Sequence, residues 1–338
     1  MRTITWRDGV AITVDQSKLP DETIFLEMKN CLEVASAIKE MKMRGAPLLG
    51  AAAAYGLALT AHHSKAAKKA DLIEELEKSA EILRRTRPTA VNLFWAVDRV
   101  VKRARKGIGD VKAVAKVVVE EAERIANEDV EANRKIGEHG SKLIQKGDVV
   151  LTHCNAGSLA TVDYGTALGV VRAAWNQGKK VRVIATETRP KLQGSRLTTY
   201  ELQREGIPVT LITDNMVGYI MSKGLVDKVV VGADRIVRDA VVNKIGTYII
   251  AVLAHEHGVP FYVAAPTSTF DLSSYASKVV IEERDSEEVT HFMSQRVAPK
   301  GVDALNPAFD LTPMKYVTAV ICETGILSTT ELTKFAAA

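Results

Sequence analysis

Cys154 stands in the run Thr152-His153-Cys154-Asn155-Ala156-Gly157-Ser158, directly after a short apolar stretch at 149–152. A free cysteine is more often a small buried hydrophobe than a reactive group. This one follows a candidate strand, has polar neighbours and a glycine, and precedes a segment able to begin a helix. Backbone N–H groups at such a turn can stabilise a thiolate or a phosphate. Asp234, in Gly232-Ala233-Asp234-Arg235, follows a second apolar run at 228–231. Aspartate after a strand is commonly only a helix cap. If both runs belong to one sheet, however, thiol and carboxyl share an edge and could converge as an acid–base pair. The carboxyl would then have to keep its proton near neutral pH, which burial in an apolar pocket achieves.

Three further segments have the chemistry to bind an anion. The run from Thr186 to Arg196 contains Arg189, Gln193 and Gly194 after another apolar stretch. Arg44 precedes Gly45-Ala46-Pro47, and Arg84, Arg85 and Arg87 precede Pro88-Thr89-Ala90; both look like helix starts with free amides. Arginine there would offer a bidentate fork, and the two sites could reach one phosphate. A solvated surface loop remains the plain alternative. No Walker motif is present and no GxGxxG follows a strand, so nucleotide binding is not indicated. His62-His63 reads as the solvated end of an Ala-rich helix, and Cys322 as core. On a helix the i, i+2 spacing of His255 and His257 makes the two rings diverge, which argues against a metal.

The elements that must position these residues change character along the chain. Thr3, Thr5 and Arg7 alternate with Ile4 and Trp6, and Asp8-Gly9 signals a hairpin into 10–14. After Asp21 the period becomes helical, with Asn30 capping a helix to 43, Pro47 opening another to 62, and more at 71–85, 90–105 and 110–145. Beyond Lys146-Gly147-Asp148, apolar runs at 149–152, 181–185, 209–212, 228–231 and 261–264 alternate with helical stretches at 164–176, 197–205, 216–223 and 245–258. That alternation implies a parallel, doubly wound sheet, which binds ligands at the carboxyl ends of its strands. The expected class is therefore α/β. An N-terminal hairpin and helical bundle domain (1–145) precedes a C-terminal Rossmann-like doubly wound domain (146–338).

Composition narrows the function further. The 338 residues give two domains enough chain for two cores, and 45 Lys+Arg against 41 Asp+Glu leave a formal charge of only +4. With aromatic residues at 5%, neither a basic face nor stacking platforms for nucleic acid are indicated. Three widely spaced cysteines without a CxxC pair exclude a disulfide framework and a zinc finger. No signal core and no apolar run of about 18 residues is found, so no membrane partner is expected and the location reads as cytoplasmic.

Taken together, several ordered blocks carry a resemblance. They are Arg44-Gly45-Ala46-Pro47, Arg87-Pro88-Thr89-Ala90-Val91-Asn92-Leu93, Thr152-His153-Cys154-Asn155-Ala156-Gly157, Glu187-Thr188-Arg189-Pro190 with Gln193-Gly194, Gly232-Ala233-Asp234-Arg235, Asn243-Lys244-Ile245-Gly246-Thr247-Tyr248 and Asn306-Pro307-Ala308-Phe309-Asp310. Over nearly the whole chain this pattern resembles the methylthioribose-1-phosphate isomerases. Their wider family also holds ribose-1,5-bisphosphate isomerases and regulatory subunits of eukaryotic initiation factor 2B. The resemblance implies an aldose–ketose isomerase of methionine salvage with a sugar-phosphate substrate, no metal and no cofactor, acting as a homodimer. It makes Cys154 and Asp234 the catalytic pair, and Arg44, Gly45, Ala46, Arg87, Gln193, Asn243 and Lys244 the substrate and phosphate contacts. One departure is local: where the family pattern has Gly-Asp before Asn-Lys, this chain reads Asp239-Ala240-Val241-Val242. A bisphosphate isomerase and a non-catalytic translation-factor-like subunit are the alternatives.

Overall fold

The structure, a computed structural model, describes residues 2–335. Its contacts divide the chain into two compact units. Among the described residues, the first contains 2–134 with 157–165 and 266–269; the second contains 135–156, 166–265 and 270–335.

The first unit opens with β1 (Ile4–Arg7) and β2 (Val10–Val14), joined by the expected Asp8-Gly9 turn, where both residues have positive φ (45° and 81°). A third strand, β3 (Phe25–Met28), pairs antiparallel with β2 where the sequence suggests only helix; its backbone is drawn into the ladder by β2, Val14 facing Phe25 and Ala11 facing Met28. Helix α1 (Cys31–Lys39) begins at Asn30 as expected. The Asn30 side chain accepts from the Glu33 amide, and the Glu33 carboxylate accepts from Lys29 N–H, a reciprocal cap. It ends at Lys39 rather than 43, because Met41 turns left-handed (φ 58°) and the Lys42 and Met43 amides both fold back to the Ala37 carbonyl. Next come α2 (Ala46–His63), α3 (Lys69–Arg84), α4 (Val91–Lys106) and the long α5 (Val111–Ser141). Residues 48–59 of α2 are all buried, so α2 is the axis of the unit and its Ala-rich composition lets neighbouring helices approach. His62 packs edge-on to Trp6, and His63 meets the Gly9 carbonyl at 2.8 Å, so this exposed pair also clamps the hairpin.

The second unit is built on β4 (Val149–Thr152), α6 (Ala167–Asn176), β5 (Arg182–Thr186), α7 (Thr199–Arg204), β6 (Val209–Ile212), α8 (Val217–Ser222), β7 (Lys228–Val231), β8 (Arg235–Val237), β9 (Ala240–Lys244), α9 (Thr247–Glu256), β10 (Phe261–Ala264) and β11 (Phe270–Asp271). Then follow α10 (Glu287–Thr290), β12 (His291–Phe292), β13 (Gln295–Arg296), β14 (Phe309–Pro313), β15 (Ala319–Cys322), β16 (Gly325–Leu327) and α11 (Thr329–Phe335). The main sheet has the order β16-β15-β10-β7-β4-β5-β6, parallel throughout except for the edge strand β16. Alternate residues feed opposite faces. Leu151, Val229, Val231 and Val263 enter one apolar cluster, and Val150, Val183, Val230 and Ala264 enter another. Burial on both faces is why these strands read as unbroken apolar runs.

A second sheet, ordered β11-β8-β9-β14, was not apparent from the sequence. Its centre is the β8–β9 hairpin, with β14 added antiparallel to β9. Residues 239–242, whose path the sequence left open, form this hairpin turn and the first half of β9. Among the described residues no helix is long and apolar enough to cross a membrane.

Leu57 on α2 is fully buried. Leu57→Ala should cost about 2–5 kcal/mol, the usual range for a core leucine that leaves a cavity. Urea unfolding should show this as a lower midpoint with unchanged slope.

Candidate functional site

Strands β4, β5 and β6 step to one side of the sheet, while β7, β10 and β15 continue on the other side of β4. The crevice at the carboxyl ends of β4 and β7 is therefore the topological switch point, where open α/β sheets bind their ligands. Cys154 lies just past the end of β4 and Asp234 just past the end of β7. The strands are adjacent and in parallel register, Leu151 facing Val229. Their following loops touch: a Cβ on Gly232 would stand only 2.7 Å from the Ala156 Cβ, so glycine is required there. The structure thus brings the two sequence-identified residues to one edge of one sheet.

Cys154 is held in a left-handed conformation, φ 61°, which a non-glycine residue adopts at a cost. Its N–H donates to Thr188 Oγ1 at 2.9 Å, and its carbonyl accepts from Thr198 Oγ1 at 2.6 Å. Thr188 is left-handed too (φ 65°), and the Asp214 carboxylate accepts from the amides of Thr188 and Arg189 at 2.8 and 2.7 Å. On the far side, Asn155 donates to Glu201 Oε1 at 2.9 Å, while Glu201 is paired with Arg172 at 2.6 Å, both side chains buried. Within Val150–Ala156, Cys154 alone is not buried. The other thiols differ: burial pushes Cys31 up to about 11 and also raises Cys322, which lies in β15 as core. Only Cys154 combines access with a built backbone frame.

Gln193 falls in the segment between Thr188 and Thr198 that brackets Cys154. It is 4% exposed, and its buried Oε1 has no hydrogen-bond partner, leaving an acceptor open for a donor group. Arg189, which the sequence places in an anion-binding cluster, instead donates to the carbonyls of Pro190, Glu288, Val289 and His291. Asp234 N–H donates to the Val242 carbonyl at 2.9 Å, which sets Asp234 beside the strand carrying Asn243 and Lys244. Those two residues end β9 and are buried. Asn243 Nδ2 donates to Thr247 Oγ1 at 3.0 Å; Lys244 Nζ donates to the Ala308 carbonyl at 2.7 Å and lies 4.8 Å from the centre of the Phe309 ring. Asp310, opposite Asn243 on β14, accepts from the Gly246 and Tyr248 amides, and burial pushes its carboxyl up to about 6.

In the first unit, Arg44 is buried and its Nε donates to Gln16 Oε1 at 3.1 Å, while Gln16 Nε2 donates to the Leu159 carbonyl at 2.7 Å. Gly45 caps α2 with φ 103°, and a Cβ there would lie 2.5 Å from the Ala160 backbone. Ala46 begins α2, whose first turn carries no acidic residue. Arg87, between α3 and α4, places its Nη1 3.3 Å from Sδ of Met41, which lies in the loop leading to Arg44. These four residues all belong to the first unit. Sequence reasoning missed Thr198, Glu201, Arg172 and Asp214. A hydroxyl or carboxylate that supports a distant backbone carries no spacing signature.

Residues 42–329 match the model of the initiation factor 2 subunit family. A putative methylthioribose-1-phosphate isomerase of Archaeoglobus fulgidus is 56% identical over 327 residues, covering 97% of this chain and 96% of its own length. The methylthioribose-1-phosphate isomerase of Acetivibrio thermocellus is 52% identical over 330 residues, with coverage of 97% and 96%. Among solved structures, the 5-methylthioribose 1-phosphate isomerase of Pyrococcus horikoshii matches with a TM-score of 0.93 at 44% identity, over 100% of this chain and 96% of that one. A structure described as translation initiation factor eIF-2B, subunit delta, from A. fulgidus matches at 0.90 and 54% identity over 100% of both chains. On the extent of these matches, the chain belongs to the initiation factor 2 subunit family.

Proposed function

We propose that the chain is an isomerase that converts 5-methylthio-α-D-ribose 1-phosphate into 5-methylthio-D-ribulose 1-phosphate. The observation that carries this reading is the accessible Cys154, framed on left-handed backbone at the switch point with Asp234 on the adjoining strand end, in a chain about half identical to isomerases of that name. Arg44, Gly45, Ala46, Arg87, Gln193, Asn243 and Lys244 are the proposed substrate and phosphate contacts. The open Gln193 acceptor supports a sugar hydroxyl as its partner. The two-domain organisation, 1–145 and 146–338, is part of the same proposal, supported by one helical and one sheet-based compact unit.

The chemistry follows from the substrate. A phosphate on the anomeric oxygen leaves no anomeric hydroxyl proton to lose, so the ring cannot open to the free aldehyde in the ordinary way. In the proposed route Asp234 gives its proton to the ring oxygen, and the C1–O bond breaks with its electron pair leaving on that oxygen. The Cys154 thiolate removes the C2 proton, leaving an enol phosphate. That proton returns to C1 while the Asp234 carboxylate takes the 2-hydroxyl proton, which gives the ketone and restores both groups. In a second route a hydride passes from C2 to C1 and Asp234 again takes the hydroxyl proton. Both develop positive charge at C1, so excluding water protects the intermediate from hydrolysis.

A homodimer and a cytoplasmic location belong to this reading. Tyr219, Leu225 and Ile249 are large apolar residues exposed on the second unit, as expected of a surface that meets a second copy. The three cysteines are free thiols, in keeping with a reducing compartment. The other reading, a non-catalytic translation-factor-like subunit, is favoured by the description of the 54% identical A. fulgidus structure.

Turnover decides between these readings. Wild-type protein should isomerise 5-methylthioribose 1-phosphate faster than ribose 1,5-bisphosphate; faster turnover of the bisphosphate would reassign the substrate, and turnover of neither would favour the subunit. Cys154→Ser and Asp234→Asn should each lower kcat by roughly 10²- to 10⁴-fold at unchanged thermal stability. Near-wild-type rates in both would remove them from the chemistry. Light scattering on the purified chain should report twice the mass of one protomer, and a monomer would refute the dimer.

A further inference from the structure

His153, directly before Cys154, is buried and takes no part in the chemistry proposed above. Its Nε2 lies 2.8 Å from the Ile245 carbonyl and its Nδ1 2.6 Å from Thr186 Oγ1. A carbonyl only accepts, so Nε2 must carry a hydrogen. At the other end of the same network, the Cys154 backbone N–H only donates, and it donates to Thr188 Oγ1. Between these fixed ends, Thr188 Oγ1 is 3.3 Å from both the hydroxyl and the carbonyl oxygen of Thr186. With Nδ1 unprotonated, the Thr186 hydroxyl donates to it and Nε2–H donates to Ile245, while the single Thr188 hydroxyl hydrogen is shared between the hydroxyl and carbonyl oxygens of Thr186. Burial lowers the proton affinity of the ring and so favours its neutral form, and nearby Lys244 acts in the same sense against Asp214 and the Ile245 carbonyl. A proton on Nδ1 would stop the Thr186 hydroxyl from donating to the ring and force it to turn.

We infer that His153 is a positioning residue whose neutral, Nε2–H ring ties two parts of the site together. Through Thr186 and Thr188 it holds the left-handed backbone of Cys154; through Ile245 it holds the strand end that carries Asn243 and Lys244. This rests on the reading of Cys154 and Lys244 as site residues given above. The two arms leave from different ring nitrogens, so they separate chemically. Glutamine places a nitrogen donor near the position of Nε2 but offers no acceptor at Nδ1. Asparagine places an acceptor near Nδ1 but does not reach Ile245.

His153→Gln should therefore lower kcat by about 10- to 100-fold with KM near wild type, whereas His153→Asn should raise KM by about 10-fold or more with kcat near wild type. Loss of both parameters to the same degree in both variants, together with lost thermal stability, would make His153 merely structural and overturn the inference; so would unchanged kinetics. Two readouts do not depend on turnover. Two-bond ¹H–¹⁵N spectra of the wild-type protein should show His153 as the Nε2–H tautomer, and an Nδ1–H ring or an imidazolium overturns the inference. Iodoacetamide labelling of Cys154, mapped by mass spectrometry, should change in rate in His153→Gln and stay near wild type in His153→Asn; equal rates in the two variants overturn it as well. A wild-type protein that turns over no sugar phosphate defeats the functional reading instead, while the spectrum and the labelling still decide the role of His153.

Discussion

The unfavourable backbone of Cys154 is the constraint from which the arrangement of the second unit follows. A left-handed residue with a side chain persists only if its surroundings over-determine it. Here one threonine accepts from its amide and another donates to its carbonyl, so both backbone groups are satisfied within the turn. The segment that supplies those threonines must leave β5 in a particular way, and Asp214, at the end of β6, fixes that exit. Three successive strand ends are thus committed to presenting one thiol.

Polar groups beneath this turn are costly unless each has a partner. Asn155 meets that condition through Glu201, and Glu201 through Arg172, an ion pair placed almost wholly out of solvent. Such a pair adds little net stability, because desolvation offsets most of the attraction. Its geometric effect is clearer: with one oxygen of Glu201 held by Arg172, the other accepts from Asn155. The residue after Cys154 is anchored that way, much as His153 anchors the residue before it.

The family includes proteins described as isomerases and proteins described as translation factors, and both kinds match this chain over its full length. Fold similarity cannot separate them, since one scaffold hosts several functions. The separation has to come from the strand ends. An assembly subunit has no evident need for a partly exposed cysteine on strained backbone, whereas proton transfer at carbon needs a group of that kind in a fixed place. The buried, open acceptor on Gln193 points the same way, because an unpaired polar atom is tolerated where a ligand completes it.

Much was legible in the residues alone. The strands at 149–152, 228–231 and 261–264 match β4, β7 and β10, because strands buried on both faces write themselves as continuous apolar runs, and 209–212 matches the half-exposed edge strand β6. The hairpin turn and the Asn30 cap were equally readable, since both depend on neighbours in sequence. Cys154 and Asp234 stood out because chemistry-bearing residues followed those runs. What only the tertiary structure decided were the relations between distant segments. Strand β3 exists because β2 offers it an edge, and Asn243 and Lys244 lie on a strand because β14, more than sixty residues away, pairs with them. The same holds for the threonines, the buried ion pair and the ring of His153. Each acts on backbone far off in the chain, and no local period or spacing records which backbone that will be.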